Sequence, residues 1–224
     1  MANLILAFYI FVDFLFLVSG AIIMGFSLIV QANKDEQPTE GRQAARNLIY
    51  QSFPFQAGIA NAVMIFLAFA ITLPGIITPM RGWLKISGWF VTVCGLFTLS
   101  IGVFLWVLTL RTQDLFNDIW LSSPPEVQSL MQTSFQCCGY FNSTSPAFVT
   151  NAICPSPAAA ALQRGCLGPV SSFANIFLDN IFTAVFGFVG IDALLVVSVT
   201  MVLKDRKERE RFRHIDEKAG YRTF

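Results

Sequence analysis

The stretch Phe135-Gln136-Cys137-Cys138-Gly139-Tyr140 sets two cysteines side by side. Adjacent Cα atoms lie about 3.8 Å apart, below the roughly 4.4 to 6.8 Å that an unstrained disulfide spans. The two are therefore not expected to bridge each other. What each one does depends on which side of a membrane it lies, because the surrounding chain has the composition of a membrane protein.

Of 224 residues, 54% are hydrophobic, 13% are charged and 23 are phenylalanine, too apolar for an ordinary soluble domain. The apolar residues gather in runs that reach the roughly 20 helical residues needed to cross a hydrocarbon core. These predict transmembrane helices over residues 1–30 (apolar from residue 4), 54–78, 84–110 and 174–203. The first run has no basic residue before it, carries Asp13 in its middle and stays apolar to Val30, which argues for a retained span over a cleaved signal.

Lysine and arginine in the flanks set the orientation. The final segment, 204–224, holds Lys204, Arg206, Lys207, Arg209, Arg211, Arg213, Lys218 and Arg222, and the short turn 79–83 is flanked by Arg81 and Lys85. Both are expected in the cytosol, with both termini. The segment 31–53 balances its bases with Asp35, Glu36 and Glu40, and 111–173 holds only Arg111 and Arg164. These read as a small and a large extracellular loop.

The large loop contains Cys137, Cys138, Cys154 and Cys166. An even number of cysteines in an oxidising compartment reads as a disulfide framework. Adjacency disfavours one of the three pairings, so Cys137 and Cys138 each reach to Cys154 or Cys166. A segment of about 60 residues buries too little surface to be secure alone, and each bridge adds roughly 2 to 4 kcal/mol. A zinc site would want histidine at ligand spacing, and His214 is the only one, predicted on the other side. No metal is expected.

Within this loop, Leu115, Phe116, Ile119 and Trp120 keep helical spacing and continue the third span. Ser123-Pro124-Pro125-Glu126 offers a capping box with proline at the first helical position, opening an amphipathic helix through Val127, Leu130, Met131 and Phe135. Residues 139–169 read as loops with one short helix near Ala158 to Ala161, and a helix that begins after Gly168-Pro169 runs into span four. Asn142-Ser143-Thr144 is an N-glycosylation sequon.

Four spans, a small outer loop, a short inner turn, and a large outer loop with Cys137-Cys138-Gly139, Cys154-Pro155 and a last cysteine before span four together resemble the tetraspanin family. Ser27-Leu28-Ile29-Val30-Gln31, Pro38-Thr39-Glu40-Gly41, Arg46-Asn47-Leu48-Ile49-Tyr50 and Met131-Gln132-Thr133-Ser134-Phe135 resemble more narrowly the tetraspanins of plant-infecting fungi. The resemblance implies bridges Cys137 to Cys166 and Cys138 to Cys154, which spacing alone leaves open. It also implies a non-enzymatic scaffold at the plasma membrane or endosomal and vacuolar membranes. Its partners would be other integral membrane proteins, other tetraspanins or further copies of itself, together with membrane lipids and no nucleic acid. In the fungal branch the role is penetration of host tissue from an appressorium. Two features depart from the family: Cys94 lies at membrane depth, away from the cytosolic edges where palmitoylated cysteines gather, and span three lacks the family's frequent acidic or amide residue.

Small or polar residues recur every seven positions: Asp13, Gly20 and Ser27; Asn61, Ala68 and Gly75; Gly88, Gly95 and Gly102. Such seams let helices approach closely in a left-handed bundle. Asp13 and Asp192 each lie about ten residues from the inner end of their span, roughly 15 Å deep at 1.5 Å per residue. They are expected to share one central site. No base is available in a span interior, and two ionised carboxylates there would repel, so at least one is expected to be protonated and hydrogen-bonded.

Three uses compete for Asp13 and Asp192: a polar tie between spans one and four, which plain packing favours; a cavity for a lipid or sterol headgroup; and a proton or cation path in a small transporter. No span carries the mid-membrane proline break typical of transporter sites, since Pro74 sits near its helix end. A claudin-type adhesion protein would place its large loop between spans one and two. No phosphate loop, nucleophile elbow or metal-ligand cluster points to an enzyme.

The basic tail reads as a solvated stop-transfer flank, in preference to an anionic-lipid contact, because Asp205, Glu208 and Glu210 dilute its charge. Tyr221-Arg222-Thr223-Phe224 resembles a tyrosine-based sorting signal.

Overall fold

The computed structural model of the chain describes residues 2–34, 36–51, 53–78 and 80–218, and their side chains except those of 2, 3 and 112–115. Tyr221 and Phe224 lie outside the described residues. Among those described there is no strand, and eight helices follow one another: α1 (Ala2–Asn33), α2 (Gly41–Gln51), α3 (Phe55–Ile77), α4 (Arg81–Leu110), α5 (Thr112–Ser122), α6 (Pro125–Phe135), α7 (Pro157–Ala161) and α8 (Leu167–Lys218).

Helices α1, α3, α4 and α8 are long and apolar enough to cross a membrane, and at most 33% of each apolar window is buried within the chain. Phe11, Leu67, Trp89 and Leu96 are more than half exposed. In water such surface would drive association; hydrocarbon solvates it, and the helix satisfies its own backbone there. The chain thus has the make-up of an integral membrane protein.

The chain divides into two compact units, the first comprising Met1–Ser27, Gln56–Gly102 and Ala184–Phe224. Its core contains Tyr9, Val12, Phe16, Ile65, Leu84, Val91, Leu195 and Val199. Small residues set the approach of its helices. A Cβ added to Gly20 of α1 would meet Ile65 Cγ2 at 2.6 Å, closer than side-chain carbons come. On α4, Gly88, Gly95 and Gly102 face Val199, Asp192 and Val185 of α8 in turn. Both series step by seven, the repeat of a left-handed antiparallel contact.

The second unit comprises Leu28–Phe55 and Val103–Thr183. Phe116, Trp120, Met131, Tyr140, Val170 and Leu178 pack in its core around Ala45 and Ile49 of α2. The segment 31–53, read from sequence as a plain loop, therefore contributes a helix, and Gly41 opens it against α6. The Gly41 amide donates to Ser134 Oγ at 3.0 Å, and a Cβ at Gly41 would collide with the Leu130 carbonyl. Burial raises the Tyr50 phenol above its ordinary value, with Arg46 opposing. The neutral ring meets Phe53, Phe55 and Phe177 edge-on.

Three local expectations are corrected. The continuation of α4 is interrupted at Arg111, which takes φ −105° and ψ 15°, before α5 resumes. The capping box does not form: Pro124 is the N-cap of α6, without a side-chain cap. Ser123 Oγ instead donates to Ile119 O at 2.6 Å, because the last turn of α5 leaves carbonyls in need of a donor. Helix α8 begins at Leu167, ahead of Gly168-Pro169; proline is tolerated in a first turn, where its missing N–H has no intrahelical acceptor.

Candidate functional site

The cysteine pair lies just past the end of α6. Gln136 closes that helix in the left-handed region at φ 52°, and Gly139 follows at φ 70°. A Cβ at Gly139 would collide with the Asn142 carbonyl, so both backbone conformation and space require glycine there. The chain reverses, and disulfides join Cys137 to Cys166 and Cys138 to Cys154, with Cα atoms 5.0 and 5.9 Å apart. All four cysteines are buried.

Main-chain bonds reinforce the staple. Cys138 N donates to Arg164 O at 3.0 Å, Cys166 N to Gly139 O at 3.0 Å and Leu167 N to Tyr140 O at 2.9 Å. Gln132 of α6, fully buried, donates through Nε2 to Cys154 Sγ at 3.0 Å and accepts from Val149 N at 3.1 Å. It pins the loop 149–154 to the helix. Sequence periodicity gave no hint of this, since Gln132 is polar and stands outside the apolar spacing of Val127, Leu130, Met131 and Phe135.

Outside this frame, Phe141 and Leu162 stand 52% and 89% exposed. Asn142 is exposed too. Its Oδ1 accepts from Thr144 N at 2.9 Å, Thr144 Oγ1 at 2.9 Å and Ser145 N at 2.8 Å. The turn thus uses the carbonyl oxygen of the amide, not the nitrogen to which a glycan attaches.

The two intramembrane carboxylates both belong to the first unit. Asp13 meets Thr72 of α3, whose Oγ1 lies 3.0 and 2.9 Å from its oxygens. Asp192 lies against Gly95 of α4 and beside the buried thiol of Cys94. The two carboxylates thus meet different side chains, and the tie formed by Asp13 runs from span one to span two, not span four. The reason is register: Thr72 is the hydroxyl that α3 presents to Asp13, while the glycine seam of α4 draws α8 close at Asp192.

Asn61 Nδ2 donates to Thr98 Oγ1 at 3.1 Å, and that hydroxyl donates to Cys94 O at 3.0 Å. Although Thr98 lies near Asp192, its single proton is thereby engaged. Among the described residues neither Asp192 oxygen has a hydrogen-bond partner. The Tyr9 hydroxyl, near Thr72, Ser87, Asp13 and Arg206, likewise meets none at hydrogen-bonding geometry.

At the other end of α3, Arg206 of α8 donates to Thr78 O at 2.8 Å and Gly75 O at 2.7 Å. It thereby caps two carbonyls at a helix C-terminus, where positive charge is favoured. Arg81 and Glu210 form an ion pair between α4 and α8. Sequence reading missed Arg206 because it stands in a run of basic residues. No protein-family model, curated protein or solved structure matches the chain.

Proposed function

We propose that the protein is a tetraspanin-like membrane scaffold that holds partner membrane proteins laterally through its stapled unit. The observation that carries this reading is the pair of bridges fanning out from adjacent cysteines. Such a framework persists in an oxidising compartment, which supports a position outside the cytosol for the unit around Cys137 and Cys138. The basic residues after span four and around Arg81 support the same orientation, with those segments inside. A rigid frame with exposed Phe141 and Leu162 offers apolar anchors to a protein partner. The motif resemblance extends the proposal to host penetration by a plant-infecting fungus, and to residence at the plasma membrane or endosomal and vacuolar membranes.

Capture from native membranes in mild detergent tests the scaffold, comparing wild type with Cys138→Ser at equal surface amount. A stoichiometric membrane partner lost with the bridge supports it. Wild type recovered alone counts against it.

Asp192 favours a second reading, in which the bundle binds a lipid or sterol, or moves a small solute. A buried carboxyl without a partner is costly, and a polar headgroup would supply one. Loss of a co-purifying lipid or of solute flux in Asp192→Asn, with folding intact, supports it; an unchanged lipid profile together with unchanged flux removes it.

A further inference from the structure

Arg206, Arg209 and Arg213 of α8 line one cleft of about 370 Å³ together with Met80 and Glu210. Their spacing of three and seven places them on one helix face, whereas a plain stop-transfer flank needs no such gathering. Glu210 is engaged by Arg81. Arg209 Nε holds Asp205 at 2.9 Å, and Arg213 approaches Glu217 at 4.0 Å. Arg206 is held by peptide carbonyls, which carry no full charge, and among the described residues no carboxylate forms an ion pair with it. The cleft therefore gathers three guanidinium groups and one carboxylate, with Met80, 65% exposed, as an apolar wall.

We propose that this cleft binds the phosphomonoester headgroup of an inner-leaflet lipid. Guanidinium forks match phosphate oxygens in pairs. Exposed arginine–carboxylate pairs contribute little, so Arg209 and Arg213 exchange them readily for a doubly charged phosphate. Arg206 is already fixed by α3 and needs no ordering. The cleft opens just after Leu203, where the apolar part of α8 ends, so a headgroup can enter while its acyl chains stay in hydrocarbon. The choice of a lipid over a soluble phosphate rests on the cytosolic tail proposed above.

The test uses the full chain in phosphatidylcholine nanodiscs doped with a phosphatidylinositol bisphosphate or, at matched charge, phosphatidylserine, with retained lipid read by native mass spectrometry. Wild type should retain the bisphosphate selectively. Arg209→Gln/Arg213→Gln, which leaves the Arg206 clamp intact, should bind it about tenfold more weakly at unchanged thermal stability. Equal retention by wild type and variant, or equal retention of phosphatidylserine, overturns the site. Soluble inositol trisphosphate binding undoped discs as tightly as the lipid binds reassigns the cleft and overturns the lipid. Nanodiscs expose both faces, so orientation is read separately. Protease cleavage of the tail from outside intact cells overturns the inner-leaflet assignment alone, and failed partner capture leaves the nanodisc result standing.

Discussion

Gln132 Nε2 lies 3.0 Å from Cys154 Sγ, so a side chain on α6 holds one end of the Cys138–Cys154 bridge while its carbonyl accepts from Val149. Gln132→Leu keeps the volume but strands the Val149 amide, which costs about 1 to 3 kcal/mol. The expected outcome is a lower melting temperature in detergent and faster reduction of that bridge, read by mass spectrometry of alkylated thiols. Unchanged reduction kinetics would show that the glutamine does not hold the loop.

Gly139 combines φ 70° with a Cβ collision against the Asn142 carbonyl. Gly139→Ala should cost about 1 to 3 kcal/mol from the backbone conformation alone, and more from the clash. Non-native or missing bridges on non-reducing gels, with less protein at the surface, check this. Gln136→Gly, at φ 52°, should move the other way and raise the melting temperature.

The Thr72 hydroxyl, 2.6 Å from Phe69 O and within reach of both Asp13 oxygens, has one proton to give. An amide at position 13 can donate to Thr72 while Thr72 donates to Phe69. Asp13→Asn should therefore be close to neutral, whereas Thr72→Val should cost about 1 kcal/mol. Reversible unfolding in mixed micelles measures both. Equal losses would refute the tie.

Arg206 bridges Gly75 O and Thr78 O, capping α3 beyond Pro74. Arg206→Met should lose about 1.5 to 3 kcal/mol of charged hydrogen bonding and speed amide exchange over residues 75–78. Arg206→Lys should rescue only part, since one ammonium lacks the fork that spans two carbonyls. Full rescue by lysine would mean that charge alone matters.

The turn at Asn142 leaves its amide nitrogen available to a glycan. Glycosidase treatment should shift the wild-type band and leave Asn142→Gln unshifted. A band that never moves would mean the sequon is skipped.

The membrane helices were legible because each span is a continuous apolar run, a property of composition along the chain that folding does not alter. Pairwise specificity was not. Nothing in the spacing of Cys154 and Cys166 says which of Cys137 and Cys138 each meets; only resemblance supplied a pairing, and the structure joins Cys137 to Cys166 through a chain reversal at Gly139. Helix α2 escaped notice because its eleven residues carry too short an apolar stripe to stand out from a loop, and its docking depends on the absence of a side chain at Gly41.

The same division holds for the polar groups. Sequence alone singled out Asp13 and Asp192, because a carboxylate in an apolar run is costly wherever the helix goes. Their partners depended on the rotation and register of neighbouring helices, which small residues fix through contacts between distant parts of the chain. Thus Asp13 found Thr72, Asp192 came against Gly95, and Arg206 left the anonymous charge of the tail to cap α3. Burial cost can be read along one dimension, whereas a hydrogen bond needs two groups brought to one point, and that only tertiary packing decides.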